Sequence, residues 1–200
     1  MSARPSLRLL VGLGNPGSEY TNTRHNVGVW FVDQVLRHYG GAPPTTDSKL
    51  HGLTSQLSIG GTTLRILVPT TFMNNSGRSV AAIANFYKID PATILIAHDE
   101  LDIAPGTARL KEGGGHGGHN GLRDIISCLG NQKQFARLRI GIGHPGNAKQ
   151  VSNYVLKPPS ADDRTAIEAT IDETLRCFDD IVSGQWQPAM NQLHSFSATP

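Results

Sequence analysis

The sequence contains few cysteines and no apolar run long enough to cross a membrane. Its two cysteines, Cys128 and Cys177, both lie in helical patterns, so we expect buried, reduced thiols. A transmembrane helix needs roughly 20 apolar residues, whereas the first apolar run, Leu7 to Leu13, has only the length of a strand. That run is also not a separate signal region. These absences together predict a cytoplasmic protein.

The net charge is small but unevenly distributed along the chain. The whole sequence carries a formal charge of +2. Residues 105–158 contain eight Lys or Arg and two acidic residues, whereas residues 160–200 contain two basic and seven acidic residues. This asymmetry predicts one positive face suited to a polyanion. A block of solvated surface charge is the simpler alternative.

Strand and helix patterns alternate along the chain, without internal repeats or low-complexity segments. This alternation predicts an α/β fold, a single domain over residues 1–200 with a twisted mixed β-sheet flanked by α-helices. Residues 147–159 are expected to form a polar connector without a clear period, and residues 160–196 the C-terminal helices, beginning at an N-cap on Ser160. The expected strands are 7–13, 51–59, 62–68, 93–97, 107–111 and 135–142, and the expected helices 23–39, 77–87, 122–129 and 160–184.

The first strand leads into the stretch LRLLVGLGNPGSEYTNTRHN, residues 7–26. Its glycines fit the pattern Gly-x-Gly-x-x-Gly of dinucleotide-binding proteins, but that motif requires a helix that begins within the glycines. Here Pro16 and the polar residues 18–22 intervene, so we reject nucleotide binding. Functional residues of open α/β sheets gather in loops at the carboxyl ends of strands. Asn15 and His25 therefore become candidate site residues.

Polar residues follow the ends of four predicted strands: Asn15 with His25, then Asn74, then Asp99, and finally His119 with Asn120. A histidine accepts a proton near neutral pH, and a carboxylate beside it can fix its tautomer. Carboxamides can stabilise the charge that develops on a carbonyl oxygen. No serine lies in a Gly-x-Ser-x-Gly motif, and neither cysteine lies in a loop. The pattern favours attack by a water on a moderately reactive acyl bond such as an ester.

Each of these residues also has a purely structural interpretation. His25 and Asp99 are both compatible with helix or turn capping, and Asn15 before Pro16-Gly17 is common turn chemistry. His116 and His119 with Asp99 are a possible metal site, although the spacing lacks a standard zinc signature. A basic face without catalysis would instead indicate an RNA-binding module.

Five motifs occur in order along nearly the whole chain, from about Leu7 to Phe196. They are GLGNPGSEYTNTRHNVG, PTTFMNNSG, HDELDIAPG, KEGGGHGGHNGLRD and RLRIGIGHPG. In this combination the sequence resembles the bacterial-type peptidyl-tRNA hydrolases. The resemblance implies an esterase that cleaves the bond between a peptide and the 3′ ribose of tRNA, on peptidyl-tRNA released early from ribosomes. It implies a His-activated water, no covalent intermediate, and no metal or other cofactor. We also expect a monomer.

The resemblance also implies roles for individual residues of this chain. His25 is expected to act as the general base and Asp99 as its partner. Asn15 corresponds to the residue that separates peptidyl-tRNA from free aminoacyl-tRNA. Asn74 and Asn120 are expected to contact the substrate, with Asn120 helping to place the water or His119.

Further residues are implied to bind the substrate or the tRNA. Tyr20 and Phe72 match positions near the tRNA end and the peptide, and Met73 matches a packing position beside the site. Three cations match a phosphate clamp for the 5′ end and acceptor stem of tRNA, and Arg109 stands where a lysine is often found. Together with Asn74 and Asn120, the full set is Tyr20, Phe72, Met73, His119, Arg109, Lys111 and Arg139. Residues 147–151 match a mobile segment over the substrate groove, so the resemblance also implies that the connector 147–159 is mobile.

Overall fold

Seven strands form one mixed sheet in the computed structural model, which describes residues 4–198. The strand order is β2-β3-β4-β1-β5-β7-β6. The central pairs β4–β1, β1–β5 and β5–β7 are parallel, and the pairs β2–β3, β3–β4 and β6–β7 are antiparallel. This confirms the predicted α/β fold with a mixed sheet. The strands are β1 Leu9–Gly12, β2 Thr45–Asp47, β3 Gly52–Ile59, β4 Thr62–Pro69, β5 Ile94–Glu100, β6 Ala108–Glu112 and β7 Ala136–Gly141.

Helices cover both faces of the sheet. One apolar core lies beneath α1 and the C-terminal helices and includes the edge-to-face pair Phe31–Phe178. The other core lies beneath α2 and α3 and includes Ile83 and Ile125. None of the helices within residues 4–198 is long and apolar enough to cross a membrane. The helices are α1 Val27–His38, α2 Ser76–Tyr87, α3 Asn120–Cys128, α4 Val151–Val155, α5 Ala161–Arg176, α6 Phe178–Ser183 and α7 Trp186–His194.

The central strands explain where polar residues gather. β1 and most of β5 are continuous apolar runs buried on both faces, as expected for parallel strands covered by helices. Because β1, β4, β5 and β7 are parallel, their carboxyl ends meet at the same edge of the sheet. The segments that follow β1 and β4 therefore lie beside the end of β5.

Two glycines allow α1 to approach the sheet closely. A Cβ atom on Gly28 would lie 2.3 Å from the carbonyl oxygen of Ala97 in β5, and one on Gly12 would lie 2.6 Å from the carbonyl oxygen of Gly28. Only glycine fits such a contact between a helix and a strand. The contact fixes the start of α1, and with it His25, against the end of β5.

The helix α7 packs against β6, the strand at one edge of the sheet. The backbone amide of Leu110 in β6 donates to Nε2 of His194 at the end of α7, over 3.0 Å. A histidine ring thus satisfies a backbone donor on β6, which is an edge strand of the sheet within residues 4–198.

The C-terminal region differs from the expectation of one long helix over 160–184. Ser160 is its N-cap as predicted, with Oγ accepting from the amide of Asp163 at 3.1 Å, and Gly184 ends it with φ +85°. The helix breaks at Cys177, however, whose φ and ψ of −108° and 10° separate α5 from α6. The apolar stripe continues across the break, so periodicity alone gave no sign of it.

Three other segments also differ from the sequence-based expectations. The strand β2 was not expected, because Thr45–Asp47 is short, polar and at the sheet edge. The connector 147–159 contains a 3₁₀ turn, Ala148–Gln150, followed by α4; its mobility stays a prediction. Cys177 is buried as expected, but Cys128 is exposed, because the last turn of α3 presents it to solvent. The predicted domain ends, residues 1–3 and 199–200, lie outside the described residues.

Candidate active site

The carboxylate of Asp99 is bonded to two histidines at the carboxyl edge of the sheet. Its Oδ2 lies 2.8 Å from Nδ1 of His25, and its Oδ1 lies 2.8 Å from Nε2 of His119. His25 comes from the turn before α1, Asp99 from β5 and His119 from the residue before α3. The structure therefore brings together three predicted site residues that are far apart in the sequence.

The sequence predicted that Asp99 follows the strand in a loop, but the structure places it within β5. β5 continues to Glu100 because its backbone stays paired with β7, with His98 opposite Arg139 and Asp99 opposite Ile140. The carboxylate is 4% exposed. A residue on a central strand has a fixed backbone, so the two histidines meet a rigidly held acceptor.

Burial and hydrogen bonding shift the pKa values of Asp99 and His25 in opposite directions. Burial disfavours the charged carboxylate of Asp99, but the positive charge of a protonated imidazole and the two hydrogen bonds hold its pKa below the usual range. Burial also lowers the pKa of His25, but the charge of Asp99 and their hydrogen bond outweigh it. The result is a pKa of His25 above its ordinary value of 6.5.

His119 occupies both of its ring nitrogens with protein partners. Its Nδ1 accepts from the backbone amides of Gly121 and Leu122, at 3.1 and 3.3 Å, as the N-cap of α3. Its Nε2 is bonded to Asp99. The predicted contact of His119 with the substrate would need a free ring nitrogen. In this arrangement both nitrogens of His119 are already hydrogen-bonded within the protein.

A carboxamide that sequence reasoning missed holds Asn15 in place. The side chain of Asn26 accepts from the amide of Asn15 at 2.9 Å and donates to its carbonyl oxygen at 3.0 Å. Asn15 in turn accepts with Oδ1 from the amide of Met73 at 2.7 Å, which leaves its Nδ2 group as the donor available to a ligand. The position of Asn26 directly after His25 was the one signal in the sequence.

A groove of about 220 Å³ opens beside His25. Two exposed apolar side chains, Phe72 and Leu156, lie in its lining, and Tyr20 contacts Phe72 edge-on at a centroid distance of 6.3 Å. Leu156, just after α4, was missed because the connector showed no clear periodicity. The groove is lined by Asn15, His25, Phe72, Met73, Asn74, Asn120, Ser152, Val155 and Leu156.

The helix α4 is attached to the segment that carries His25. The guanidinium of Arg24 stacks over the ring of Tyr154 at 3.8 Å and donates to its carbonyl oxygen at 2.9 Å. The hydroxyl of Tyr154 donates to the carbonyl oxygen of Ile142 at 2.6 Å. In this conformation α4 forms one wall of the groove.

Asn120 reaches the groove but is not paired with His119. Its Oδ1 accepts from Arg123 at 3.0 Å, one turn along α3, and no bond to His119 is present among residues 4–198. Met73 is buried, and its backbone amide donates to Oδ1 of Asn15. Asn74 lines the groove and is exposed.

The predicted phosphate-binding cations lie on one face of β6 and β7, apart from the groove. Arg109 is opposite Arg139, and Lys111 is opposite Arg137, so all four side chains leave the same face of the sheet. Arg139 is bonded to Glu100 at 2.8 Å, whereas Arg109 and Lys111 are exposed.

Arg137 was not expected to belong to this face. Its guanidinium is buried, donates to the carbonyl oxygens of Phe135 and Gly114, and stacks over the ring of Phe135 at 4.2 Å. Burial, together with the charge of Arg139, lowers its pKa to about 10. The alternation Arg-Leu-Arg was the available signal, because period two places both arginines on one face.

The alternative metal set of His116, His119 and Asp99 is not assembled in the described part of the chain. Nδ1 of His116 instead accepts from the amide of Gly118 at 3.0 Å. The His and Asp groups that do approach one another are His25, Asp99 and His119, with ligand atoms within 4.8 Å. Their separations from the carboxylate oxygens are those of hydrogen bonds.

A mixed α/β sheet that carries a buried histidine–carboxylate pair at its strand ends, beside a groove, is typical of hydrolytic enzymes. The nearby cationic face adds a surface for a polyanion. The fold and the site therefore define a hydrolase with an anionic macromolecular substrate.

Comparison with known proteins gives the family. A family model described as peptidyl-tRNA hydrolase matches residues 9–200. The peptidyl-tRNA hydrolase of Teredinibacter turnerae is 57% identical over 192 residues, or 96% of this chain and 99% of that protein. The enzyme of a Marinomonas species is 58% identical over 191 residues, with coverages of 96% and 98%. A crystal structure of peptidyl-tRNA hydrolase from Acinetobacter baumannii has a TM-score of 0.93 at 48% identity, covering 98% of this chain and 99% of that chain.

The chain belongs to the peptidyl-tRNA hydrolase family. It is an enzyme that hydrolyses peptidyl-tRNA. This confirms the family, the fold and the activity that the five sequence motifs implied.

Proposed function

We propose that hydrolysis proceeds by direct attack of a water molecule that His25 activates as general base. The bond between Nδ1 of His25 and Asp99 is the observation that carries this proposal. Because Asp99 occupies Nδ1, Nε2 is the nitrogen that can take a proton from a water in the groove. The raised pKa of His25 makes it a stronger base than a free imidazole.

The steps follow from this arrangement. Water adds to the ester carbonyl carbon as Nε2 of His25 takes its proton, and the carbonyl oxygen becomes negatively charged. Asn15, Asn74 and Asn120 line the groove, and their amide donors are proposed to stabilise that oxygen. The ester C–O bond then breaks, and the 3′ oxygen of the ribose receives the proton from His25. The products are free tRNA and a peptide carboxylic acid, which releases its proton to solvent to become the carboxylate.

A covalent route would require a nucleophile next to His25. Ser152 is the one hydroxyl-bearing residue in the groove lining, and no hydroxyl or thiol in residues 4–198 is hydrogen-bonded to His25. We therefore propose no covalent intermediate. Loss of activity in Ser152→Ala, with a peptidyl adduct seen by intact mass spectrometry after acid quenching, would instead indicate a covalent route.

Asn15 is proposed to discriminate between peptidyl-tRNA and aminoacyl-tRNA. Since Oδ1 is bonded to the amide of Met73, the side chain presents a donor, Nδ2. A peptidyl group offers a carbonyl oxygen on the α-nitrogen, which can accept from that donor. A free aminoacyl group has an ammonium there, which cannot accept, so the Nδ2 donor of Asn15 gains no acceptor from that substrate.

The cationic face of β6 and β7 is proposed to hold phosphates of the tRNA acceptor stem and 5′ end. Arg109 and Lys111 are exposed there, two residues apart on one strand face. Arg139 shares its guanidinium with Glu100, so one edge of its planar group is committed within the protein. Arg109 and Lys111 are therefore proposed to make the stronger phosphate contacts.

All proposed catalytic groups come from one chain, which supports a monomeric enzyme. The free thiols of Cys128 and Cys177 support the proposal of a reducing, cytoplasmic environment. Light scattering coupled to size-exclusion chromatography would test the monomer directly. A mass of twice 21.5 kDa would contradict it.

The test of the mechanism compares an N-acetylated aminoacyl-tRNA with its unblocked counterpart, each with and without EDTA. Wild type is expected to cleave the blocked ester only, with no effect of EDTA. His25→Ala should lose roughly 10²–10⁴-fold in kcat, and Asn15→Asp should lose preference for the blocked ester. Full activity of His25→Ala would remove the proposed base, and inhibition by EDTA would indicate a bound metal.

A further inference from the structure

We infer that His119 is a positioning residue, held neutral in a single tautomer, that orients Asp99 toward His25. The protonation state of His119 follows from the geometry of the protein alone, whereas its effect on catalysis rests on the proposed function of His25.

The N-terminus of α3 decides the tautomer. Nδ1 of His119 faces two backbone amides, those of Gly121 and Leu122, and accepts from both. A proton on Nδ1 would place a third donor against two donors and would leave both amides without a partner. The positive end of the helix dipole opposes a cationic ring at the same place. Nδ1 therefore stays unprotonated.

The remaining ring nitrogen must then carry the proton. A neutral imidazole has one N–H group, and with Nδ1 unprotonated that group is Nε2–H. It donates to Oδ1 of Asp99 over 2.8 Å, and the side chain of His119 is only 9% exposed. Asp99 thus receives one hydrogen bond from a fixed, uncharged donor.

The titratable groups around His119 fit this assignment. Its ring lies 5.3 Å from that of His25 and 5.0 Å from that of His98, between ring centroids. His98 is buried, with a pKa lowered to about 3 chiefly by burial, and is therefore uncharged near neutral pH. Asp99 is the acidic group that His119 contacts directly.

Neutrality of His119 has a consequence for the proposed base. A cationic His119 would compensate the charge of Asp99 and repel a proton from His25. A neutral His119 does not compensate the charge of the Asp99 carboxylate, so His25 experiences that charge in full. Its hydrogen bond to Oδ1 nevertheless fixes the rotation of the carboxylate. Oδ2 is then directed at Nδ1 of His25, so that one histidine orients and the other accepts the proton.

The protonation state can be measured on the whole protein without any tRNA. Two-dimensional NMR of protein labelled with ¹⁵N-histidine distinguishes the two neutral tautomers and the imidazolium. At about pH 8, above the ordinary histidine pKa, we expect His119 to be the Nε2–H tautomer. An Nδ1–H tautomer or an imidazolium at His119 at this pH would overturn the inference.

A matched pair of variants separates orientation from capping. In His119→Asn, the Oδ1 atom replaces Nδ1 as the cap acceptor, but the side chain is too short to reach Asp99. In His119→Gln, the amide nitrogen extends to about the position of Nε2. We expect His119→Asn to keep its melting temperature and KM and to lose roughly 10- to 100-fold in kcat, and His119→Gln to recover part of that loss.

Two kinetic outcomes would overturn the positioning role. A raised KM with unchanged kcat in His119→Asn would indicate direct contact with the substrate, and wild-type kcat would show that the bond to Asp99 has no effect. If instead wild type cleaves no peptidyl ester, or His25→Ala stays active, the proposed function fails. The NMR result would still decide the tautomer, so the two failures are distinguishable.

Discussion

The two oxygens of Asp99 are shared between histidines with different surroundings. His119 is bonded on both sides, whereas His25 is bonded at Nδ1 and has its other nitrogen available to the groove. The same residue type therefore serves two purposes at one carboxylate. The difference arises from the backbone amides of α3, which are near His119 only.

The pH dependence of activity should report the His25–Asp99 pair. The proposed base is active when unprotonated, so kcat/KM should rise with pH through an apparent pKa above 6.5. In Asp99→Asn, the charge that raises this pKa is lost, so the rise should move to lower pH. The new amide can also donate to Nδ1 and place the proton on Nε2, which should reduce the plateau roughly 10²–10⁴-fold. An unchanged apparent pKa in Asp99→Asn would contradict the coupling.

His98 should make the protein less stable in acid. Its pKa is about 3 in the folded protein against an ordinary 6.5, so between these values the unfolded chain binds a proton that the folded chain does not. The free energy of unfolding should therefore fall as the pH decreases from about 6.5 toward 3, by up to about 1.4 kcal/mol per pH unit. Urea unfolding of His98→Phe should show a flatter profile in this window.

The exposed His38 offers the control for this experiment, because it lies on the solvent face of α1. His38→Gln should keep the wild-type slope. A His98→Phe profile as steep as that of wild type would show that other groups cause the acid sensitivity.

At the scale of single residues, the sequence predicts which residues belong to the site better than it predicts which of them are hydrogen-bonded to one another. His25, Asn15, Asp99, Asn74 and Asn120 could be selected because polar residues after buried strands have few structural reasons to be there. The bond from His119 to Asp99 could not be predicted from the sequence, since it depends on the distance between the N-terminus of α3 and β5. Such a distance is a property of the packed sheet and has no periodic signature.

At the scale of elements, the contact of α1 with β5 holds the site together. Gly28 meets the backbone of Ala97, and neither strand nor helix backbone can move aside as a side chain would. In Gly28→Ala, the helix must shift away from the sheet. We expect the free energy of unfolding to fall by about 1–3 kcal/mol and kcat to fall at least about tenfold, because His25 moves with the helix.

Gly115 provides a matched control for this substitution. It lies in the loop before α3, and no atom lies within 4 Å of the position of its Cβ. Denaturant unfolding and kinetics of Gly115→Ala should both resemble wild type. If Gly28→Ala also resembles wild type, the close approach is not needed to place His25.

Elements with a strong period were predictable and elements formed by tertiary contact were not. α1 and α5 show apolar stripes, and the hairpin of β3 and β4 shows alternation and a Gly-Gly turn. β2 has no such pattern, because it forms only by pairing with β3. The extension of β5 through Asp99 likewise depends on β7, whose pairing overrides the polar character of the segment.

At the scale of the molecule, cations are concentrated near one edge of the sheet. Phosphate binding there should release counterions, so the affinity for tRNA should fall with added salt. Between about 50 and 200 mM KCl, Lys111→Gln should reduce the slope of log Kd against log salt by about 1. Lys49→Gln, at the opposite edge beside β2, should leave the slope unchanged. Equal slopes for both variants would argue against a phosphate contact at Lys111.

The bond between Leu110 and His194 gives this edge of the sheet a second property. An edge strand with free amides can pair with a strand of another molecule and so begin aggregation. Burial, together with the charge of Arg109, lowers the pKa of His194 below its ordinary value, which favours the neutral ring whose Nε2 accepts from the amide of Leu110. Removal of this ring by substitution, or protonation of its Nε2 in acid, would leave the amide of Leu110 without its acceptor and able to pair with a strand of another molecule. The C-terminal helix α7 thus also protects this edge of the sheet against self-association.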